Sequence, residues 1–241
     1  MCPVHGTVPD VVLPEPERTM GLATLESAAP KDRVSVIDLT YEALRDLIVR
    51  GSLQPGVSVV ENTLAQRLQV SRTPLRHAIE RLETDGLMIR SPNGRLHISP
   101  VSTAEVFQLF AVRIALEDLA ITEAIPRITD SSIEILGHYI EAMHHIDKIE
   151  GNVADAGVNF HNLLYLAGEN KVNRQTLSQL QPRIDRYRFL STQHSRPRQR
   201  NSIQEHRDIY DAVKIRDVER ARETLKMHLT HARDAVLRTI P

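Results

Sequence analysis

Cysteine is all but missing from this 241-residue chain, with Cys2 standing alone. A disulfide framework is therefore excluded, and a reducing compartment is expected. Long apolar runs are missing too, since none approaches the ~20 residues of a membrane span. The N-terminus has no basic segment leading into a hydrophobic stretch, so no secretory signal is read and the cytoplasm is the expected location. Nor does charge of one sign dominate: 30 Lys+Arg face 31 Asp+Glu, for a net charge of −1. A polycation that coats nucleic acid without sequence preference is thereby excluded, and any basic surface must be local. No HExxH or similar hydrolytic motif occurs, and no repeat of roughly 20–50 residues is present. What remains is a globular composition, 41% hydrophobic and 25% charged, long enough for one large domain or two ordinary ones.

Residues 1–33 carry Pro3, Pro9, Pro14, Pro16 and Pro30 without a sustained period, which reads as a flexible tail. Helical signal begins near Val34, with Ile37, Tyr41, Leu44 and Ile48 at three- and four-residue spacing. Gly51 stops it, and Pro55-Gly56 marks a turn. From Ser102 to about Ile240 the pattern is helical, in segments near 102–125, 130–149, 153–168, 172–191, 202–215 and 217–239. Breakers such as Pro126, Gly151-Asn152 and Gly168-Glu169-Asn170 separate them. The fold class is thus mainly α: an N-terminal winged helix-turn-helix over 34–100, then an all-α bundle of about six helices over 101–241.

The winged helix-turn-helix is read from Glu61 to Ser99. Asn62–Gln69 forms a short helix with Leu64, Ala65 and Leu68 on one face. Ser71 is a natural N-cap whose hydroxyl can accept an N–H from the next turn. Pro74 falls in that first turn, where a missing N–H costs little. The helix it opens places Leu75, Ala78, Ile79 and Leu82 on the core side and Arg72, Thr73, Arg76, His77 and Glu80 on the other. Arg, Thr and Arg crowd the end of a recognition helix that enters the major groove first. Arginine pairs with guanine O6/N7, and Ser or Thr anchors a phosphate. A hairpin follows, Leu87–Arg90 and Arg95–Ser99, joined by Ser91-Pro92-Asn93-Gly94. Asn-Gly is the strongest short hairpin signal because both positions tolerate positive φ. Arg90 and Arg95 flank the tip, within reach of phosphate or the minor groove. Over residues 41–100 eight Lys+Arg face six Asp+Glu, a modest local excess.

The stretch VSRTPLRHAIERLETDGL, with LAQRL before it and PNGRLHIS after it, resembles the DNA-binding domain of GntR-family bacterial transcription regulators. The helical remainder resembles the FCD effector domain of the FadR-like subfamily. The resemblance covers about residues 35–238. It implies a homodimer on a palindromic operator, of the family's repressor type, with DNA contacts from Asn62, Ser71, Arg72, Thr73, Arg76 and Gly94. Asn62 departs from the family, where a basic residue is frequent. Asparagine suits adenine rather than guanine, so the operator sequence does not carry over from relatives.

Three of the eleven histidines stand on inward faces of different helices. His161 sits with Val158, Leu164 and Tyr165; His206 with Ile203, Ile209, Tyr210 and Val213; His228 with Ala221, Leu225 and Ala232. Periodicity alone allows hydrogen-bonded core histidines as well as ligands. The resemblance implies a divalent metal, zinc or nickel-like, because many FCD domains hold one with Asp-x-x-x-His and two later histidines. Phe160-His161, Glu205-His206 and His228-Leu229 match those landmarks, but Gly157 stands where the aspartate is expected. Asp155 points about 120° away on a helix. Glu117 or Asp118 is a possible substitute; otherwise water or the effector completes the site, or metal binding is weakened.

The resemblance further implies a small organic-acid effector. Arg113 is the leading candidate to bind its carboxylate, against an ion pair with Glu117 one turn on. Arg186, with Arg188 beside it, is a weaker candidate. Tyr165, Asn173 and Tyr187 line the site or pack the core. A metal-dependent hydrolase is the rival from another class, since three histidines with open coordination can activate water. No inward carboxylate stands out as its general base.

Overall fold

A computed structural model describes residues 35–149, 151–192 and 195–240; the flexible tail expected over residues 1–33 lies outside them. Helix α1 spans Val36–Val49, β1 Ser58–Val59, α2 Glu61–Leu68, α3 Arg72–Thr84, β2 Met88–Arg90 and β3 Leu96–Ile98. Six longer helices follow: α4 Thr103–Ala124, α5 Asp130–Lys148, α6 Ala154–Ala167, α7 Lys171–Thr192, α8 Arg196–Lys214 and α9 Val218–Leu237. Among the described residues no helix is long and apolar enough to cross a membrane.

The first half forms around the apolar spacing read from the sequence. Tyr41, Leu44 and Ile48 of α1, Leu64 of α2 and Leu75, Ala78, Ile79 and Leu82 of α3 bury into one core with Leu87, Met88, Leu96 and Ile98. The sheet is antiparallel in the order β1-β3-β2, with Ser58 opposite His97 and Met88 opposite Ile98. Strand β1 was not expected; at two residues it has no alternation to read. The wing turn also differs from expectation. Only its Gly94 has positive φ, at +79°, while Asn93 does not. Asn93 instead accepts the Arg95 N–H at 3.2 Å through its side chain, and the Gly94 N–H closes the turn on Ser91 O at 2.8 Å. The turn is therefore four residues long, with glycine alone in the left-handed position.

In the second half α4 packs on α9, α6 and α7, while α8 packs on α9 and α5. Its main core gathers Ile121, Leu136, Ile140, Phe160, Leu164, Ile209, Val213 and Leu225. Helix α8 starts at Arg196, six residues before the segment expected from 202. Ser195 caps it by accepting the Arg198 N–H, and Pro197 occupies the first turn, where proline is tolerated. The added turn and a half brings Arg198 and Gln199 into the interior.

Candidate DNA interface and metal centre

Asn62, Ser71, Arg72, Thr73, Arg76, Arg90, Gly94 and Arg95 are all exposed, on α2, α3 and the wing. Ser71 takes the N-cap position of α3 with extended backbone, but its hydroxyl makes no capping hydrogen bond. Ser71, Arg72 and Thr73 are all exposed there, so water or a phosphate can meet the first N–H groups instead. Arg90 also has partners within the protein. Its guanidinium lies 3.0 Å from Glu61 and 3.2 Å from Glu83, and Glu61 in turn lies 3.7 Å from Arg76. Arg90 thus braces the wing against the helices. Glu61, at the start of α2, was not singled out from the sequence; an acidic residue at a helix start reads there as ordinary dipole complementation.

Behind the DNA-facing half, α6, α8 and α9 bring His161, His206 and His228 together. Each is at least 96% buried, and each offers a ring nitrogen within 4.8 Å of the others. Ring centroids lie 5.2 Å apart for His161 and His206, 5.3 Å for His161 and His228, and 4.4 Å for His206 and His228. In every ring Nδ1 faces an acceptor. His161 Nδ1 lies 2.7 Å from Glu117 Oε2, and His228 Nδ1 lies 2.8 Å from Glu205 Oε2. His206 Nδ1 donates to Ser202 O at 2.6 Å. The neutral tautomer so selected carries its proton on Nδ1 and its lone pair on Nε2. Nε2 of His161 and of His206 has no hydrogen-bond partner among the described residues, and His161 Nδ1 meets Glu117 Oε2 as a close ion-pair contact without the alignment of a hydrogen bond. Burial holds all three imidazoles below the ordinary histidine range, His206 and His228 well below it. Three neutral rings, each anchored by an outer acceptor, form a donor set that fits a borderline divalent cation.

Two carboxylates do the anchoring. Burial alone would push the Glu117 carboxyl up, but His161 and Arg113 outweigh it and hold it well below the usual range. Glu205 receives Arg198 Nη1 at 2.8 and 2.9 Å as well as His228 and the exposed His231 at 2.8 Å. Neither Glu117 nor Asp118, the substitutes offered by the sequence, stands free to replace the ligand absent at Gly157. Glu117 is committed to His161 Nδ1 and Arg113, and Asp118 is paired with Arg222 at 2.8 Å. A Cβ on Gly157 would stand 3.5 Å from His206 Nε2, so the missing side chain leaves space beside the rings.

That space is a cavity of about 20 Å³ lined by Arg113, Gly157, Arg188, Arg198, His206 and His228, among others. Arg113 makes the ion pair offered by the sequence and keeps a donor to spare. Its Nε donates to Glu117 at 2.6 Å, while Nη2 is buried without a partner among the described residues. Arg186 is not in the lining. It stands about 200° round α7 from Arg188, and its Nη2 donates to Ser99 O at 2.6 Å. Tyr165 also misses the cavity, packing with Ala120 and Leu177. Asn173 and Tyr187 are structural: the amide of Asn173 donates to Leu116 O, and the Tyr187 hydroxyl to Glu105, each at 2.9 Å. Arg198, which sequence reasoning passed over, lay in a segment not read as helix.

Comparison with known proteins adds two family matches. The model for bacterial regulatory proteins of the gntR family matches residues 37–98, and the FCD domain model matches residues 108–231. The HTH-type transcriptional regulator BphR of Paraburkholderia xenovorans is 29% identical over 81% of this chain and 82% of its own. The HTH-type transcriptional repressor RspR of Escherichia coli is 27% identical over 81% of this chain and 86% of its own. Among solved structures, Escherichia coli McbR/YncC superposes with a TM-score of 0.74 at 20% identity, covering 85% of this chain and 98% of that one.

Proposed function

The chain belongs to the GntR family of bacterial transcription regulators and carries an FCD domain, and from that premise we propose that it is a repressor whose operator affinity is set by a small carboxylate effector bound beside a divalent metal. In this reading residues 34–100 bind DNA, and 101–241 bind the effector and dimerise. Asn62, Ser71, Arg72, Thr73, Arg76, Arg90, Gly94 and Arg95 face the operator, which is palindromic because a two-fold dimer presents two identical modules. Repression is supported by the relative named as a repressor.

The observation that carries the effector reading is the pairing of donor types around a cavity that Arg113, His206 and His228 line and His161 backs. Imidazole nitrogens of His161, His206 and His228 stand ready for a metal, and the partnerless Nη2 of Arg113 stands beside them. Leaving a buried donor without an acceptor costs on the order of 1–3 kcal/mol, which an anionic guest would recover. A bound zinc- or nickel-like ion supplies positive charge and open coordination positions for a carboxylate. Gly157 leaves open the position beside His206 that a side chain would fill.

The test is metal analysis of the purified chain joined to a thermal-shift screen of small carboxylates with and without chelator. A true effector raises the melting temperature progressively with concentration, loses its effect with chelator, and fails on His206→Ala. If the chain holds no metal and His206→Ala responds normally, the reading is wrong. Turnover of any screened compound would favour the hydrolase alternative, which family membership already disfavours.

A further inference from the structure

Arg188 is a wall of two spaces at once. It lines the histidine cavity, and it also lines a groove of about 460 Å³ between α1 of the DNA-binding half and α6 and α7 of the bundle. Ala154 is the other residue common to both. One turn before Arg188 on α7, Asp185 joins the two halves. Its Oδ2 receives Arg45 Nη2 from α1, while Oδ1 receives Gln181 Nε2 at 2.6 Å and Arg188 Nη1 at 3.3 Å. Three elements thus meet at one carboxylate: the cavity through Arg188, the bundle through α7, and the DNA-binding half through Arg45.

We propose that Arg188, Asp185 and Arg45 form the link by which the content of the histidine cavity sets the placement of the DNA-binding half. This rests on the reading of the cavity as an anion site. A carboxylate there competes with Asp185 for the Arg188 guanidinium, and the existing bond at 3.3 Å is long beside the ~2.7–2.9 Å of a well-formed charge-assisted pair. Asp185 then turns its charge more fully on Arg45. Anion binding therefore tightens the bridge between bundle and α1, while loss of the anion relaxes it. The bond at 3.3 Å is the longest of the three hydrogen bonds in the chain and the one an incoming anion has to break. Asp185 is a coupling residue, since it belongs to the groove and does not line the cavity. By linkage, whatever factor the anion imposes on operator affinity, the operator imposes on anion affinity.

Two measurements on the full-length chain decide the proposal, both using a duplex that the wild-type chain selects from a random pool. The first is a ligand-free double-mutant cycle of Arg188→Met and Arg45→Met on duplex affinity, read by fluorescence anisotropy, with the conservative Asp185→Asn as a third variant. Linked residues give a double variant resembling the singles; strictly additive effects overturn the link. The second titrates malonate into zinc-loaded protein, by calorimetry for binding and by anisotropy for its effect on the duplex. Arg45→Met and Asp185→Asn should bind malonate within about threefold of wild type, yet lose a duplex response that in wild type is on the order of fivefold or more. A full response in either variant overturns the proposal, as does a wild-type chain that binds malonate without any change in duplex affinity. Failure of wild type to bind malonate counts against the anion-site reading instead, and the cycle, which needs no ligand, still decides the link.

Discussion

At the scale of single residues, His161, His206 and His228 are kept neutral by burial while their Nδ1 atoms are held by Glu117, Ser202 O and Glu205. Their inward spacing is legible in the sequence, and so is the i, i+4 pairing of Arg113 with Glu117. What spacing does not reveal is that Glu117 also meets His161, because that contact crosses from α4 to α6 and depends on how two helices pack. Nor does it distinguish Arg113 as ion-pair partner from Arg113 as anion site, since a guanidinium has five N–H donors, enough for both. The lowered histidine pKa values carry a stability consequence with a definite sign. Unfolded histidine takes up its proton near pH 6.5, whereas the folded, buried rings take it up only at lower pH. The unfolded state therefore binds more protons below about pH 6.5, and the metal-free chain loses stability as pH falls through that window, by up to ~1.4 kcal/mol per pH unit for each histidine. Glu117, with its pKa lowered, adds a loss at still lower pH. Zinc competes with protons for the same nitrogens and should delay the fall. Melting curves from pH 8 to pH 5, with chelator and with zinc, check this; a melting temperature in chelator that stays flat across the range contradicts it.

At the scale of elements, helices with a sustained apolar stripe are found from sequence within a residue or two, as for α3 and α9. Elements fail to be legible where the signal is short or belongs to a neighbour. Strand β1 has two residues, and the first turn and a half of α8, rich in Arg and Gln, owes its burial to distant partners: Gly151 O before α6 for Gln199, and Glu205 two turns further along α8 for Arg198. Glu61 is a similar case. It looks like a helix-start acid, and the fold makes it the joint between α2, Arg76 of α3 and Arg90 of β2. A carboxylate on a phosphate-facing surface repels DNA but restrains two arginines. Replacing it should release both to pair with phosphates. For Glu61→Gln, binding to random duplex is expected to tighten and discrimination between the selected duplex and random DNA to shrink. The slope of log affinity against log salt should steepen by about 0.9 for each further phosphate that the freed arginines neutralise. Salt titrations of both duplexes measure this. An unchanged slope, with discrimination intact, would show that Glu61 does not restrain the arginines.

At the scale of the whole molecule, two halves with separate cores are joined along α7. Arg186 donates to the carbonyl of Ser99 just past the wing, the Tyr187 hydroxyl donates to Glu105 at the start of α4, and Arg45 of α1 pairs with Asp185. The boundary near residue 100 was legible from the change of period, yet this seam was not. Arg186 and Ser99 lie 87 residues apart in sequence, and helical periodicity says which way a side chain leaves its axis without saying what waits there. The seam also separates the roles of Arg186 and Arg188: one ties the wing strand to the bundle, the other faces the cavity. Arg186→Met should therefore leave malonate and zinc binding unaltered while removing the only charged donor that Ser99 O receives among the described hydrogen bonds. Stranding that buried carbonyl costs on the order of 1–3 kcal/mol, and the cost falls on the joint between the halves. The expected result is a lower melting temperature, with faster amide exchange confined to the residues on either side of Ser99 and to the middle of α7, and with the core of α5, α8 and α9 as protected as before. Hydrogen exchange with peptide-level readout separates the outcomes. Uniform loss of protection across both halves would mean that they unfold as one cooperative unit and that Arg186 is part of a single core.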